Sequence, residues 1–314
     1  MRAGAVLGSI LLTGTVLGVG VASSPGATAA HRSPLLSWAT ATVDEVAATE
    51  LALGVRSAAL STYADFTEPF PAVWAAAARD RGVALVVSWE PWDSDLTTTA
   101  QPGFALRSIA AGGWDPYLRQ WARDAAGAGT RVLVRFAPEM NGDWLVWSDG
   151  ANGSTASDYR RAWRHVHRVF EEEGAANVRW VFNPVIVEAE TTPLESFWPG
   201  SRYVDWLAVD GYNWAGYRGR TYADARTVFA ATVSRLRTLH PSAPVMIAET
   251  GATPQAKAAW IPDLARTAVD LGIDLVVWFE RDKEVDWRMT SGRLTEPLPV
   301  ILGRAGWRVR VVQP

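Results

Sequence analysis

Eight short apolar runs alternate with helix-like stretches along the chain, most of them closing on a polar or aromatic residue, and this alternation restricts the fold more than any other feature. The runs are Leu35 to Ala39, Arg56 to Leu60, Val83 to Trp89, Arg131 to Phe136, Val178 to Asn183, Val204 to Asp210, Pro244 to Glu249 and Asp274 to Phe279. Most are rich in Val, Leu, Ile or Trp, as strands covered on both faces are. The clearest helical stretches between them are Val43 to Leu53, Ala72 to Asp80, Asp115 to Ala126, Ala156 to Glu173, Tyr222 to Leu239 and Gln255 to Leu271. Within the fourth of these, Tyr159, Trp163, Val166 and Phe170 fall at spacings of three and four, which predicts a face packed on the sheet. Eight strand-helix units over residues 31–314 match the usual span of a (β/α)8 TIM barrel, about 250 residues plus insertions, built as a single domain. An open doubly wound sheet is the alternative. Its first strand should lead into a glycine-rich phosphate turn, and Ser37-Trp38-Ala39-Thr40 is not one.

Residues 1–30 precede this pattern and read as a signal peptide. Arg2 is the positive start, Ala3 to Val21 the apolar run, and Ala27-Thr28-Ala29 a small-x-small cleavage site, so the mature chain is expected to start at Ala30 or His31. The expected location is therefore extracellular, with attachment to the cell envelope if the leader stays as an anchor, and no stable membrane association once it is cleaved. The chain has no cysteine, so an exported domain must rely on its core, and thiol nucleophiles and cysteine-bound metals are excluded. A net charge of −3 and the lack of a lysine-rich block argue against nucleic acid as a partner. Seventeen tryptophans exceed what such a core usually requires, and their flat faces with one N–H donor suit sugar rings. A polysaccharide is the expected partner, and a monomer the expected state.

In a barrel of this kind, chemistry sits at the carboxyl ends of the strands. The residues there are Glu90 after the third run, Glu139 after the fourth, Asp210 and Tyr212 after the sixth, Glu249 after the seventh and Glu280 after the eighth. Carboxylates thus crowd one rim. Glycoside hydrolysis needs one carboxyl to protonate the leaving oxygen and another to attack or to activate water, with about 5–5.5 Å between them for retention. Strands four and seven lie across the barrel from each other, so Glu139 and Glu249 can converge over its axis. Rival chemistries lack their parts. His165 and His167 are two apart on a helix and point to different faces, so no metal site is expected. Lys257 and Lys283 lie in or near a helix and a loop, away from the Schiff-base position inside the barrel. No Gly-x-Ser-x-Gly elbow is present. No cofactor is implied.

The stretch Arg135-Phe-Ala-Pro-Glu139-Met-Asn141-Gly-Asp-Trp144 resembles the one that carries the general acid/base in glycoside hydrolase family 26, whose members include secreted β-mannanases. Trp180-Val-Phe-Asn183-Pro, Val204-Asp-Trp-Leu-Ala-Val-Asp210-Gly-Tyr212-Asn213, Ile247-Ala-Glu249-Thr-Gly251, and Trp278-Phe-Glu280 followed by Asp286-Trp287-Arg288 are similar to that family's later strands, in the same order. The resemblance runs from about Val83 to Trp287. It implies a retaining mechanism with Glu139 as acid/base and Glu249 as nucleophile, Asp210 and Tyr212 around the nucleophile and the −1 sugar, and Trp278 as an aromatic platform. Ser88-Trp89-Glu90-Pro91-Trp92 also resembles a family stretch, in which Trp89, Glu90 and Trp92 would line a negative subsite. Physical roles fit beside these: Tyr212 can bond Glu249, Arg135 can lower its pKa, and Asn141 can hold the sugar or Glu139. Trp144, Trp147 and Trp214 are further candidates for stacking on sugars. One departure stands out. The mannanases commonly place a histidine before the acid/base, and this chain has Pro138, which donates no hydrogen bond. β-Mannan leads as substrate, with β-1,3/1,4-glucan, β-1,3-xylan and a bacterial exopolysaccharide open beside it. The competing expectation is a non-catalytic polysaccharide-binding barrel.

Overall fold

A computed structural model describes residues 33–312, so the leader expected at residues 1–30 and its cleavage site lie outside the described residues. Eight parallel strands close into a barrel in chain order: β1 (Leu35–Ala39), β2 (Ala59–Asp65), β3 (Ala84–Glu90), β4 (Val132–Phe136), β5 (Val178–Phe182), β6 (Trp206–Asp210), β7 (Val245–Thr250) and β8 (Leu275–Phe279). β8 pairs back onto β1 along the whole of that strand. The helices are α1 (Val43–Leu53), α2 (Ala72–Asp80), α3 (Leu106–Ala110), α4 (Asp115–Ala126), α5 (Ala156–Glu172), α6 (Ala225–Leu239), α7 (Lys257–Asp270) and α8 (Leu298–Arg304). The connection from β3 to β4 holds two helices, α3 and α4, and the connection from β5 to β6 holds three 3-10 turns in place of a helix. The expected (β/α)8 barrel is therefore present, with one crossover irregular. Among the described residues, no helix is long and apolar enough to cross a membrane.

Alternation along each strand divides the core in two. Ala39, Val86, Leu133, Val181, Ala208, Met246 and Val277 point inward and fill the barrel. Their neighbours Leu36, Trp38, Leu85, Val134, Phe136, Trp180 and Val276 point outward and pack on the helices. On α5 the expected face is buried, with Tyr159, Trp163, Val166 and Phe170 all against the sheet. That helix starts at a capping box in which Thr155 and Asp158 satisfy each other's backbone N–H. Thr155→Ala is expected to lower stability by about 1 kcal/mol, read as a shift of the urea midpoint at unchanged slope.

The second strand is displaced from its expected place. It runs from Ala59 to Asp65 instead of Arg56 to Leu60. Ser61 and Thr62 interrupt the apolar pattern there, yet both are buried, because short hydroxyl side chains fit the wall of the barrel. The shift brings Tyr63 onto the inner face.

Candidate active site

Arg135 points inward from β4, is fully buried, and organises the floor of the cleft. Its Nε donates to Asn183 Oδ1 (2.5 Å), Nη1 to Ser88 Oγ (2.6 Å) and Glu249 Oε1 (2.9 Å), and Nη2 to Asp210 Oδ2 (2.5 Å). Burial opposes its charge, but the Asp210 and Glu249 carboxylates more than offset this and hold it protonated.

Beyond Phe136 the backbone leaves the strand by an unusual path. Ala137 and Glu139 both take positive φ, at 46° and 55°, a region that side chains with a Cβ rarely occupy. The turn is held by Ala137 N–H to Trp89 O (3.0 Å), Glu139 N–H to Asn183 O (2.7 Å) and Trp147 Nε1–H to Pro138 O (2.7 Å). Its effect is to swing the Glu139 carboxyl towards the cleft, where Trp144 Nε1–H donates to Oε2 at 3.1 Å. Trp144 lies directly over Gly142: a Cβ there would stand 2.4 Å from its ring, so a glycine is required for this approach. At Pro138, only the carbonyl is used.

Glu249 reaches the cleft by a different irregularity. Met246 and Ala248 face the barrel interior, so strict alternation would turn Glu249 outward. Between Ile247 and Thr250, however, the pairing of β7 with β8 slips, and the same slip appears against β6 beside Asp210. This bulge re-aims the side chain. Tyr212 O–H then donates to Glu249 Oε2 at 2.9 Å, opposite the Arg135 bond to Oε1. Burial and the Glu249 charge push the Tyr212 phenol up, which keeps it a donor.

The two glutamates thus sit in unlike surroundings. Glu249 has a guanidinium and a phenol, whereas Glu139 has only an indole N–H. Burial and the Glu249 charge push the Glu139 carboxyl up to about 7, against the pull of the Trp144 bond and Arg135. A carboxylic acid still protonated near neutral pH is what a general acid requires. Because the Trp144 N–H favours the ionised form, Trp144→Phe is expected to move the alkaline limb of kcat/KM to higher pH, measured as a pH–rate profile of both proteins.

Glu90, Trp92, Arg135, Trp144, Asp210, Tyr212, Glu139 and Glu249 all lie at this end of the barrel, and Trp144 is 42% exposed. Five other assignments need correction. Trp89 points out of the barrel, fully buried, stacked on Trp121 at 4.3 Å and bonded to Tyr117. Trp278 also points outward, packed among Leu36, Ile261, Leu264 and Trp307, with Nε1–H on Trp287 O (2.9 Å). Strand parity explains both, since the inward neighbours are Glu90 and Phe279. Asn141 holds neither sugar nor Glu139. Its buried amide pairs with the backbone of Val185 in both directions (3.1 and 2.8 Å), tying the loop after β4 to the loop after β5. Trp147 is buried under Pro138 rather than offered to a sugar. Glu280, expected on the rim, instead anchors the loop after β8 by accepting from Met289 N, Thr290 N and Thr290 Oγ1.

Tyr63, Phe279 and Trp287, not singled out as site residues, join Tyr212 and Trp214 in completing the cleft. Tyr63, Phe279, Tyr212, Trp287 and Trp214 form a continuous aromatic wall, with successive ring centroids 6.2, 6.2, 4.8 and 4.7 Å apart. Trp287 is carried by a loop gripped from below by buried Lys257, whose Nζ donates to Asp286 O, Arg288 O and Ser291 Oγ. Ser88 and Asn183 hold Arg135, and both could be found from the alternation of their strands. Among the described residues, no group of three or more His, Cys, Asp or Glu side chains is placed to hold a metal.

The family model for glycosyl hydrolase family 26 matches residues 117–257, which include β4, β7 and both glutamates. Endoglucanase H of Acetivibrio thermocellus is 32% identical over 228 residues, 69% of this chain and 24% of that protein. A mannan endo-1,4-beta-mannosidase A and B of Caldalkalibacillus mannanilyticus is 37% identical over 92 residues, 27% of this chain and 17% of that protein. The chain thus spans about a quarter or less of the length of these two relatives. Among solved structures, a GH26 beta-mannanase from Bacteroides ovatus superposes with TM-score 0.58 at 15% identity, covering 87% of each chain. An endo-beta-1,4-mannanase double mutant from Cellulomonas fimi gives 0.62 at 16%, covering 87% of this chain and 70% of that one. These two show the fold, and with the family match over residues 117–257 the chain belongs to glycosyl hydrolase family 26.

Proposed function

We propose that this chain is a retaining endo-β-glycosidase that cleaves a β-linked polysaccharide, with Glu139 as acid/base and Glu249 as nucleophile. The observation that carries the reading is the unequal environment of the two carboxyls: Arg135 and Tyr212 hold Glu249 (2.9 Å each), while Glu139 is pushed up to about 7. In the first step Glu139 gives its proton to the glycosidic oxygen as a Glu249 oxygen attacks the anomeric carbon, so the C–O bond breaks and a glycosyl ester forms. Each Glu249 oxygen keeps a lone pair beyond the one its donor uses, so attack remains open. In the second step ionised Glu139 takes a proton from water, which attacks the same carbon and frees Glu249. Asp210 keeps Arg135 in place between them. Trp144, exposed beside Glu139, offers its face to the sugar that leaves.

β-Mannan is the first substrate to test, supported by the mannanase relatives. A second reading, a β-glucan, is favoured by the longer match to an endoglucanase and by Pro138 in place of the histidine common in mannanases. The deciding experiment assays release of reducing ends from β-mannan, mixed-linkage β-glucan, β-1,3-xylan and exopolysaccharide, with viscosity followed in parallel. A rapid fall in viscosity at low product marks endo cleavage. No product from any of these polymers would remove the enzyme reading and leave a binding barrel. Export is part of the proposal, supported by the sequence of residues 1–30, and N-terminal sequencing of protein recovered from culture medium tests it.

A further inference from the structure

Three buried side chains that the two-glutamate mechanism does not use, Lys257, Trp278 and Glu280, meet on the loop after β8, residues 280–297. Lys257 holds its carbonyl side: Nζ donates to Asp286 O (2.6 Å), Arg288 O (2.6 Å) and Ser291 Oγ (2.9 Å). Glu280 holds the N–H groups that follow, accepting from Met289 N (2.7 Å), Thr290 N (3.1 Å) and Thr290 Oγ1 (2.5 Å). Between these two anchors Trp278 Nε1–H donates to Trp287 O (2.9 Å), and Trp287 N–H donates to Arg281 O (3.0 Å).

Stability alone gives no reason for such a clamp. Lys257 is 1% exposed, and it opens α7, where the helix dipole disfavours a cation. None of its three bonds goes to a carboxylate. Apolar side chains in place of buried charges are often neutral or stabilising, so a loop that only had to pack would not need these two.

What the clamp fixes is Trp287. This residue lies in the wall of the cleft yet is only 1% exposed, so it backs its neighbours rather than offering a face to a sugar. Its ring packs on Tyr212 and Trp214, with centroids 4.8 and 4.7 Å away. Trp287 and Tyr212 also close over Gly251, two residues past Glu249: a Cβ there would stand 3.1 Å from one ring and 3.3 Å from the other. Tyr212 in turn donates to Glu249 Oε2 at 2.9 Å. A continuous line of contacts thus runs from Lys257 and Glu280 through Trp287 and Tyr212 to Glu249.

We propose that Lys257 and Glu280 are positioning residues for the reaction: by locking the loop after β8 they hold Trp287 against Tyr212, and so fix the Tyr212 hydrogen bond that orients Glu249 for attack. The proposal rests on the glycosidase reading of Glu249. Neither side chain touches the reacting atoms, so the effect must pass through Tyr212.

The test is a double-mutant cycle between Lys257→Met and Tyr212→Phe, with initial rates on whichever of β-mannan, mixed-linkage β-glucan, β-1,3-xylan or exopolysaccharide the wild type cleaves. Lys257→Met keeps most of the stem but leaves three acceptors unpaired, which slackens the loop. Its kcat is expected to fall about tenfold with KM within about twofold of wild type, because the loss lies in the geometry of attack rather than in binding. In Tyr212→Phe the bond to Glu249 is already gone, and adding Lys257→Met should change kcat by less than about twofold. An equal fall in both backgrounds, or a loss carried by KM, overturns the proposal.

A second readout needs no turnover. With 3-fluorotyrosine in place of tyrosine, the fluorine resonance of Tyr212, assigned by its absence in Tyr212→Phe, reports any displacement of the Trp287 ring beside it. Lys257→Met should shift or broaden that resonance. Glu280→Gln, which disturbs the other anchor, should repeat both results and takes the place of Lys257→Met if that variant does not fold. Product from the wild type with an unmoved Tyr212 resonance in the folded variant overturns the proposal alone. No product from any polymer overturns it together with the glycosidase reading.

Discussion

Glu249→Ala is expected to lower kcat/KM by at least about 10⁴-fold, because it removes the group proposed to attack the anomeric carbon. Arg135 keeps its bonds to Asp210, Asn183 and Ser88 in this variant, so the floor of the cleft should survive. Near-UV circular dichroism close to wild type would show that. The vacated space gives a second readout. A small anion such as azide can enter where the carboxylate stood, and an α-glycosyl azide would mark Glu249 as the nucleophile it replaces. Glu139→Ala should behave differently, with a loss of about 10²–10⁴-fold that shrinks for substrates whose leaving groups need no proton.

Arg135→Leu is expected to destabilise the fold by about 3–5 kcal/mol and to abolish activity in whatever fraction remains folded. Asp210 is wholly buried, and its Oδ1 has no partner even when Arg135 is present. Removing the guanidinium strands that carboxylate and leaves Glu249 with Tyr212 alone. Arg135→Lys should rescue little, since a single ammonium cannot reach four partners in one plane. Urea unfolding at a temperature where the variant is still mostly native measures the first effect, and initial rates on the folded protein the second.

Much of this site was legible because chemistry gathers where apolar runs stop. Glu90, Arg135, Glu139, Asp210, Tyr212 and Glu249 all stand at or just past such points, and the structure places them at one end of the barrel. What sequence reasoning mistook was mostly parity. The family resemblance places Trp89 and Trp278 at the sugar, but each lies one residue from the inward position, and Phe279 takes the place expected of Trp278. Asn141 looked like a sugar ligand because it is polar and near Glu139; its partner, Val185, comes from the next loop, and nothing local signals that contact. The bulge on β7 is the deepest case. Alternation alone would have turned Glu249 out of the barrel, and only pairing with β6 and β8 reveals the slip that brings it in. Tyr63 was hidden by Ser61 and Thr62, two hydroxyls that resemble a loop in sequence and a wall in the structure.

The positive φ at Ala137 and Glu139 belongs to the same account. A chain that only needed to pack would avoid two such residues in three positions, and the turn is pinned from outside, by Glu139 N–H on Asn183 O and Trp147 Nε1–H on Pro138 O.

The central claim is that Glu249 attacks carbon while Glu139 protonates oxygen, and the anomeric configuration of the first product tests it most directly. Proton NMR of an oligosaccharide digest in deuterated buffer, followed before mutarotation, should show the new reducing end as the β anomer. An α anomer as the first product would contradict the account, since it would require water to attack directly and would leave Glu249 as a base rather than a nucleophile.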